Sequence, residues 1–251
     1  MIDIKIGNEI IKNIDTVLFD KDGTIIDSNI YWGEIIKRRS KKIIEYYNIT
    51  EEVFNSLCNV MGLDIEKEIL FEKGPIAIFS RDRIISIVVD YLNKKSINTS
   101  SNEISELFAE VHKEFNSEML RYIKILPHVE KFLEKLKANN IKIGIVTSDT
   151  KNNTNKILDY LNISKLVDVV VGKECTVEDK STGIPVYKAL SQIESYSSNT
   201  ICIGDTETDI IMADMSKCKA GIAVATGQIT LESLKSISKY AISNMDEICV
   251  L

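Results

Sequence analysis

The spacing of apolar residues changes character three times along this chain. Residues 2–14, IDIKIGNEIIKNI, alternate apolar and polar around Gly7 and Asn8, which predicts a small hairpin. A compact apolar run, Val17-Leu18-Phe19, then ends abruptly at Asp20, and 16–20 reads as a strand buried on both faces. From Asn29 to about Arg121 the apolar residues recur at helical spacing. Trp32, Ile35, Ile36, Ile43, Ile44 and Tyr47 form one such series, and Ile84, Ile85, Val88, Val89 and Leu92 form another. Thr50, Ser80 and Ser100 read as helix starts, and Glu103, three residues after Ser100, completes a capping box. From Leu126 onward the pattern alternates. Helices over 128–139, 152–161, 185–194, 207–216 and 230–238 alternate with strands over 141–147, 167–171, 200–204, 221–225 and 240–243. That alternation predicts βαβ units and a parallel sheet, which the strand at 16–20 must join. The expected organisation is an α/β core, residues 1–28 and 122–251, interrupted by an all-helical domain over 29–121.

Composition narrows the classes. The chain has 251 residues, 44% of them hydrophobic, enough for a sizeable core. A net charge of −6 argues against a general nucleic-acid binder. The chain shows no signal-peptide pattern and no apolar run of membrane-spanning length, so no membrane partner is expected. The five cysteines, with no Cys-x-x-Cys pair, suggest reduced thiols in a cytoplasmic protein, with neither a zinc site nor a disulfide framework.

Candidate chemistry collects where predicted strands end. Asp20 and Asp22 are two apart on an extended segment, so both carboxylates can face one pocket, and Gly23 allows the turn behind them. Such a pair repels itself, which a divalent cation such as Mg²⁺ would relieve, while one carboxylate attacks and the other handles protons. Thr147-Ser148-Asp149 follows the strand at 141–147. It suits a phosphate at a helix N-terminus and serves equally well as an ordinary cap. Lys180 lies in a turn before the helix at 185–194, where a lone lysine is most often a surface residue. Asp205 ends the strand at 200–204 with Asp209 four residues on, a pair fit either for a hard cation or for helix capping.

In their order, these four segments resemble the motifs of the haloacid dehalogenase superfamily: Asp20-Lys21-Asp22-Gly23-Thr24, Thr147-Ser148, Lys180, and Gly204-Asp205-x-x-x-Asp209. The helical block is similar to the cap of the phosphoglycolate phosphatase-like branch. The resemblance implies a Rossmann-like parallel sheet with an inserted helical cap, and a Mg²⁺-dependent phosphomonoester hydrolase acting on a small phosphorylated metabolite, phosphoglycolate among the candidates. It implies Asp20 as nucleophile, forming an aspartyl-phosphate, and Asp22 as general acid and base. It implies Mg²⁺ held by the carboxylates of Asp20 and Asp205 and the backbone carbonyl of Asp22, with Asp209 supporting it directly or through water. Thr147 and Ser148, with Gly23 and Thr24, would bind the phosphoryl group, and Lys180 would stabilise charge. Members with a cap commonly have proline after that lysine; here Ser181 stands there, leaving Lys173 and Lys188 as competitors.

Asp22 argues against carbon–halogen cleavage, since dehalogenases lack it. A phosphomutase of the β-phosphoglucomutase type is the nearer alternative, and a non-enzymatic phospho-receiver the remote one. Within the helical block, Arg81 and Arg83 are candidates to pair with a second anionic group of the substrate, or are solvent-facing residues on a first helical turn. Monomer and homodimer both remain open.

Overall fold

The computed structural model describes the backbone of residues 1–251 and every side chain other than those of Ala77 and Ile78. It divides into two compact units, one comprising Met1–Asp27 and Lys124–Leu251, the other Ser28–Ile123.

The chain opens with strands β1 (Ile2–Ile6) and β2 (Glu9–Ile14), an antiparallel hairpin turning at Gly7. Strand β3 (Thr16–Phe19) follows, and all four of its residues are buried, as an apolar run without alternation requires.

The second unit then begins with α1 (Ser28–Tyr47), α2 (Phe54–Met61), the two-residue strands β4 (Leu63–Asp64) and β5 (Ile69–Leu70), and the short α3 (Pro75–Ile78). Helices α4 (Arg81–Lys94) and α5 (Ser101–Glu118) complete it. Ser80 caps α4 by accepting the Arg83 amide, and Ser100 with Glu103 forms the capping box of α5. The apolar stripes pack on one another, with Ile36, Ile43, Leu57, Val88, Leu92 and Phe108 among the buried residues. This unit is not purely helical: β4 and β5 pair in an antiparallel bridge that strand signals two residues long could not announce.

The first unit resumes with α6 (Val129–Ala138), β6 (Lys142–Val146), α7 (Lys151–Tyr160), β7 (Val169–Val171), α8 (Ile184–Gln192) and β8 (Thr200–Gly204). It closes with α9 (Glu207–Met215), β9 (Ala220–Val224), α10 (Leu231–Lys235), β10 (Tyr240–Ile242) and β11 (Ile248–Val250). Six strands form one parallel sheet in the order β10-β9-β8-β3-β6-β7. Leu18 packs with Val186 and Leu190 of α8 and Met212 and Ala213 of α9. Phe19, one residue on, points to the other face and meets the Phe132 ring of α6 edge-on. Strand β11 adds to the free side of β1, so the opening hairpin is a three-stranded sheet. Among the described residues no helix is long and apolar enough to cross a membrane.

The strand order positions the chemistry. After β3 the chain runs out through β6 to β7, then returns to the far side of β3 at β8. The carboxyl ends of β3, β6 and β8 therefore lie side by side at a switch point, where open α/β sheets bind ligands.

Candidate active site

Register brings the acidic residues together. Phe19 pairs with Ile203 of β8 and with Ile145 of β6, so Asp20, just past the end of β3, stands level with Gly204 and Val146, the last residues of β8 and β6. The Asp20 amide donates to the Ile203 carbonyl at 2.9 Å, which carries the pairing one residue past the strand. Asp205 comes next on β8, and Asp209 returns to the same place from the first turn of α9. One carboxylate oxygen from each of Asp20, Asp205 and Asp209 lies within 4.8 Å of the other two, and all three residues are buried.

Glycines make that approach feasible. Gly23 has φ of +81°, a conformation open to a residue without Cβ, and any Cβ there would collide with the Asp205 carboxylate. A Cβ on Gly204 would likewise overlap the Asp209 side chain. The turn is held by Ile25 and Ile26 amides donating to the Lys21 carbonyl, and the Thr226 hydroxyl donates to the Gly23 carbonyl at 2.6 Å.

Lys180 enters this cluster. Its Nζ lies 2.5 Å from Asp20 Oδ1 and 2.6 Å from Asp209 Oδ1, with the lysine itself buried. Its sequence competitors Lys173 and Lys188 are exposed. Asp209 is at once a cap and a cluster member. Its Oδ2 accepts the Thr206 amide and hydroxyl in a capping box, leaving Oδ1 for Lys180. Thr206, rather than Asp205, is the cap of α9.

The charges do not balance, because three carboxylates face one ammonium. Asp20 is raised to about 7: burial is the largest cause, Asp209 and Asp22 add to it, and Lys180 pulls the other way. Burial, then repulsion from Asp20 and Asp209, drives Asp205 well above the usual carboxylate range. Burial alone would depress Lys180, but Asp20 and Asp209 more than offset it and hold it charged. A buried, oxygen-only donor set with surplus negative charge fits a hard divalent cation such as Mg²⁺.

The remaining candidates divide by location. Asp22 is near enough to act on Asp20, but its carboxylate is held at 2.9 Å by Lys21. Lys21 is itself only 1% exposed and also pairs with Asp149 at 3.1 Å. This second buried ion pair went unread in the sequence, where Lys21 carried no signal beyond its place in the motif. Thr147 and Ser148 share a recess of about 220 Å³ with Gly172, Asp179 and Lys180. Thr147 is buried and its hydroxyl accepts the Asp149 amide, while Thr150 is the residue that caps α7. Ser148 is exposed. Thr24 is fully buried, and its hydroxyl has no partner among the described residues. Arg81 and Arg83 lie in the other unit, on the first turn of α4. Arg81 donates to the Ser105 carbonyl at 3.1 Å, and Arg83 lies over the Phe79 ring.

The sequence profile of the haloacid dehalogenase-like hydrolases matches residues 17–225, which spans the whole constellation. The chain belongs to that family. This hydrolase is 25% identical over 240 residues to the pyrophosphatase PpaX of Oceanobacillus iheyensis, covering 95% of this chain and 97% of that protein. It is also 25% identical over 221 residues to the phosphoglycolate phosphatase of Aquifex aeolicus, covering 86% and 87%. Among solved structures, a predicted phosphoglycolate phosphatase from Haemophilus somnus superposes with a TM-score of 0.70 at 18% identity, covering 93% of this hydrolase and 95% of that chain. A likeness at that identity establishes the shared fold.

Proposed function

We propose that this hydrolase is a Mg²⁺-dependent phosphatase of a small phosphorylated metabolite, working through an aspartyl-phosphate on Asp20. One observation carries the reading. Asp20 directly follows the last residue of β3, ion-paired to Lys180 at 2.5 Å, with Asp205 and Asp209 converging on it. The names of its relatives support phosphate chemistry and put phosphoglycolate and inorganic pyrophosphate first among substrates to try.

In this reading Asp20 attacks the phosphorus, and Lys180 keeps it ionised and offsets charge on the phosphoryl oxygens. Asp22 gives a proton to the leaving oxygen, and later takes one from the water that attacks the acyl phosphate. Lys21 holds the Asp22 carboxylate in place for both steps. Thr147 and Ser148 receive the phosphoryl oxygens in the recess they share with Lys180. Asp20, Asp205 and Asp209, with the Asp22 carbonyl, would hold Mg²⁺. When bound there, the ion supplies positive charge that lets an anionic nucleophile meet an anionic phosphate. The preference among leaving groups is expected to depend on residues 28–123.

The test is phosphate release from a panel containing phosphoglycolate, pyrophosphate, sugar phosphates and nucleoside monophosphates, with Mg²⁺ and with EDTA. Metal-dependent release from at least one compound is expected. Isomerised sugar phosphate without net release would instead make the protein a mutase.

A further inference from the structure

Helix α1 carries a buried cation that the proposed chemistry does not use. Arg39 is only 7% exposed, yet its Nε and Nη1 have no hydrogen-bond partner among the described residues. Its guanidinium lies over the Phe108 ring of α5 at 4.2 Å, which satisfies one face of the plane but neither Nε nor Nη1 at its edge. No ion pair to a carboxylate engages it among the described residues. Burial, then the neighbouring cation Arg81, pushes its pKa down, and the Tyr31 side chain acts the other way.

The two arginines converge on one stretch of α5. Arg81 donates to the Ser105 carbonyl, and Arg39 stacks on Phe108 three residues later, one turn along the same face. Arg81 also stands in the first turn of α4, where free amides and the helix dipole favour an anion. Two guanidinium groups brought together without a carboxylate repel each other. A buried guanidinium with unpaired N–H groups is costly as well. Both costs vanish when a planar or tetrahedral oxyanion accepts from both forks.

We propose that Arg39 and Arg81 form an oxyanion-binding site within the helical unit, taking the carboxylate or phosphate group of a small molecule. The oxyanion has two sources: a second acidic group on the substrate, or a free anion. The site itself does not depend on the phosphatase reading; only the choice of source does.

The deciding experiment is the melting temperature of the full chain in EDTA, with malonate or sulfate against chloride at matched ionic strength. Wild type should gain at least about 3 °C from either probe at saturation. Arg39→Met should lose that gain while melting no lower than wild type in chloride, because it removes an unpaired buried charge and keeps the side chain's length. A purely structural Arg39 would do the reverse, lowering the melting point in chloride. Arg81→Gln, at an exposed position, should lose at least half of the anion-dependent gain with its chloride melting point unchanged. Equal probe responses in wild type and both variants would overturn the proposal. If Arg39→Met also lowers the kcat/KM ratio of an acid-bearing phosphate ester to p-nitrophenyl phosphate about tenfold, the substrate supplies the anion. An unchanged ratio assigns the site to a free one.

Discussion

Lys180 shows how little a lone cation reveals before folding. In the sequence it competes with Lys173 and Lys188, and only its spacing to the following helix, as the family resemblance implies it, favours it. In the structure it is the one of the three that is buried, between Asp20 and Asp209. Lys180→Ala should therefore lower kcat/KM by roughly 10²–10³-fold, the usual loss for one preorganised charge-stabilising donor. Lys188→Ala should stay within about twofold, and steady-state kinetics on the best panel substrate checks both. The acidic residues were more legible, since strand-end placement and ordered spacing pointed to Asp20, Asp22, Asp205 and Asp209 together. Arg39 was illegible for the opposite reason. It sits among Lys37, Arg38, Lys41 and Lys42 in what reads as a solvated face, yet it falls between Ile36 and Ile43 on the buried stripe. The position relative to the stripe, rather than the local charge, was the available signal.

At the scale of elements, the site depends on β3 and β8 being neighbours and on a turn tight enough to clear Asp205. Gly23→Ala should weaken Mg²⁺ binding more than about tenfold and destabilise the fold by about 1–3 kcal/mol, because φ is positive and the new methyl meets a carboxylate. Calorimetric Mg²⁺ titration and chemical denaturation measure the two effects. Unchanged Mg²⁺ affinity would mean the turn does not set the position of Asp205. The alternation of helix and strand after Leu126 was plain in the sequence, because five apolar runs of strand length are separated by helix-length amphipathic segments. Strand order was not, since a βαβ crossover can place the next strand on either side. Nor were β4, β5 and β11, where two or three residues carry no period to read.

For the whole molecule, the surplus of buried negative charge makes stability depend on pH and on metal together. The folded values of Asp20 and Asp205 are raised above the ordinary carboxylate value of about 3.9. The contribution of Asp20 is full below about pH 4 and is lost as pH rises through about 7, its folded value, and that of Asp205 is lost in the same direction. Without metal, this cluster weakens the protein more at pH 8 than at pH 5.5. Mg²⁺ competes with those protons, so the increase in melting temperature on adding it should be larger at pH 8 than at pH 5.5. An equal or reversed increment by differential scanning fluorimetry would refute this. Asp205→Asn removes one repelling charge. It should raise the metal-free melting temperature at pH 8 by about 2–4 °C, corresponding to about 1 kcal/mol, while abolishing the Mg²⁺ increment.

The central claim is that Asp20 is the nucleophile. Asp20→Asn should retain the fold by circular dichroism and lose turnover by at least about 10³-fold. The most direct measurement is borohydride trapping during turnover, in wild type and in Asp22→Asn, followed by peptide mass spectrometry. An acyl phosphate is reduced to the alcohol, so the account predicts homoserine at position 20, dependent on both substrate and Mg²⁺. Reduction at Asp22, Asp205 or Asp209, or phosphate release with no reduced residue in either protein, would contradict it.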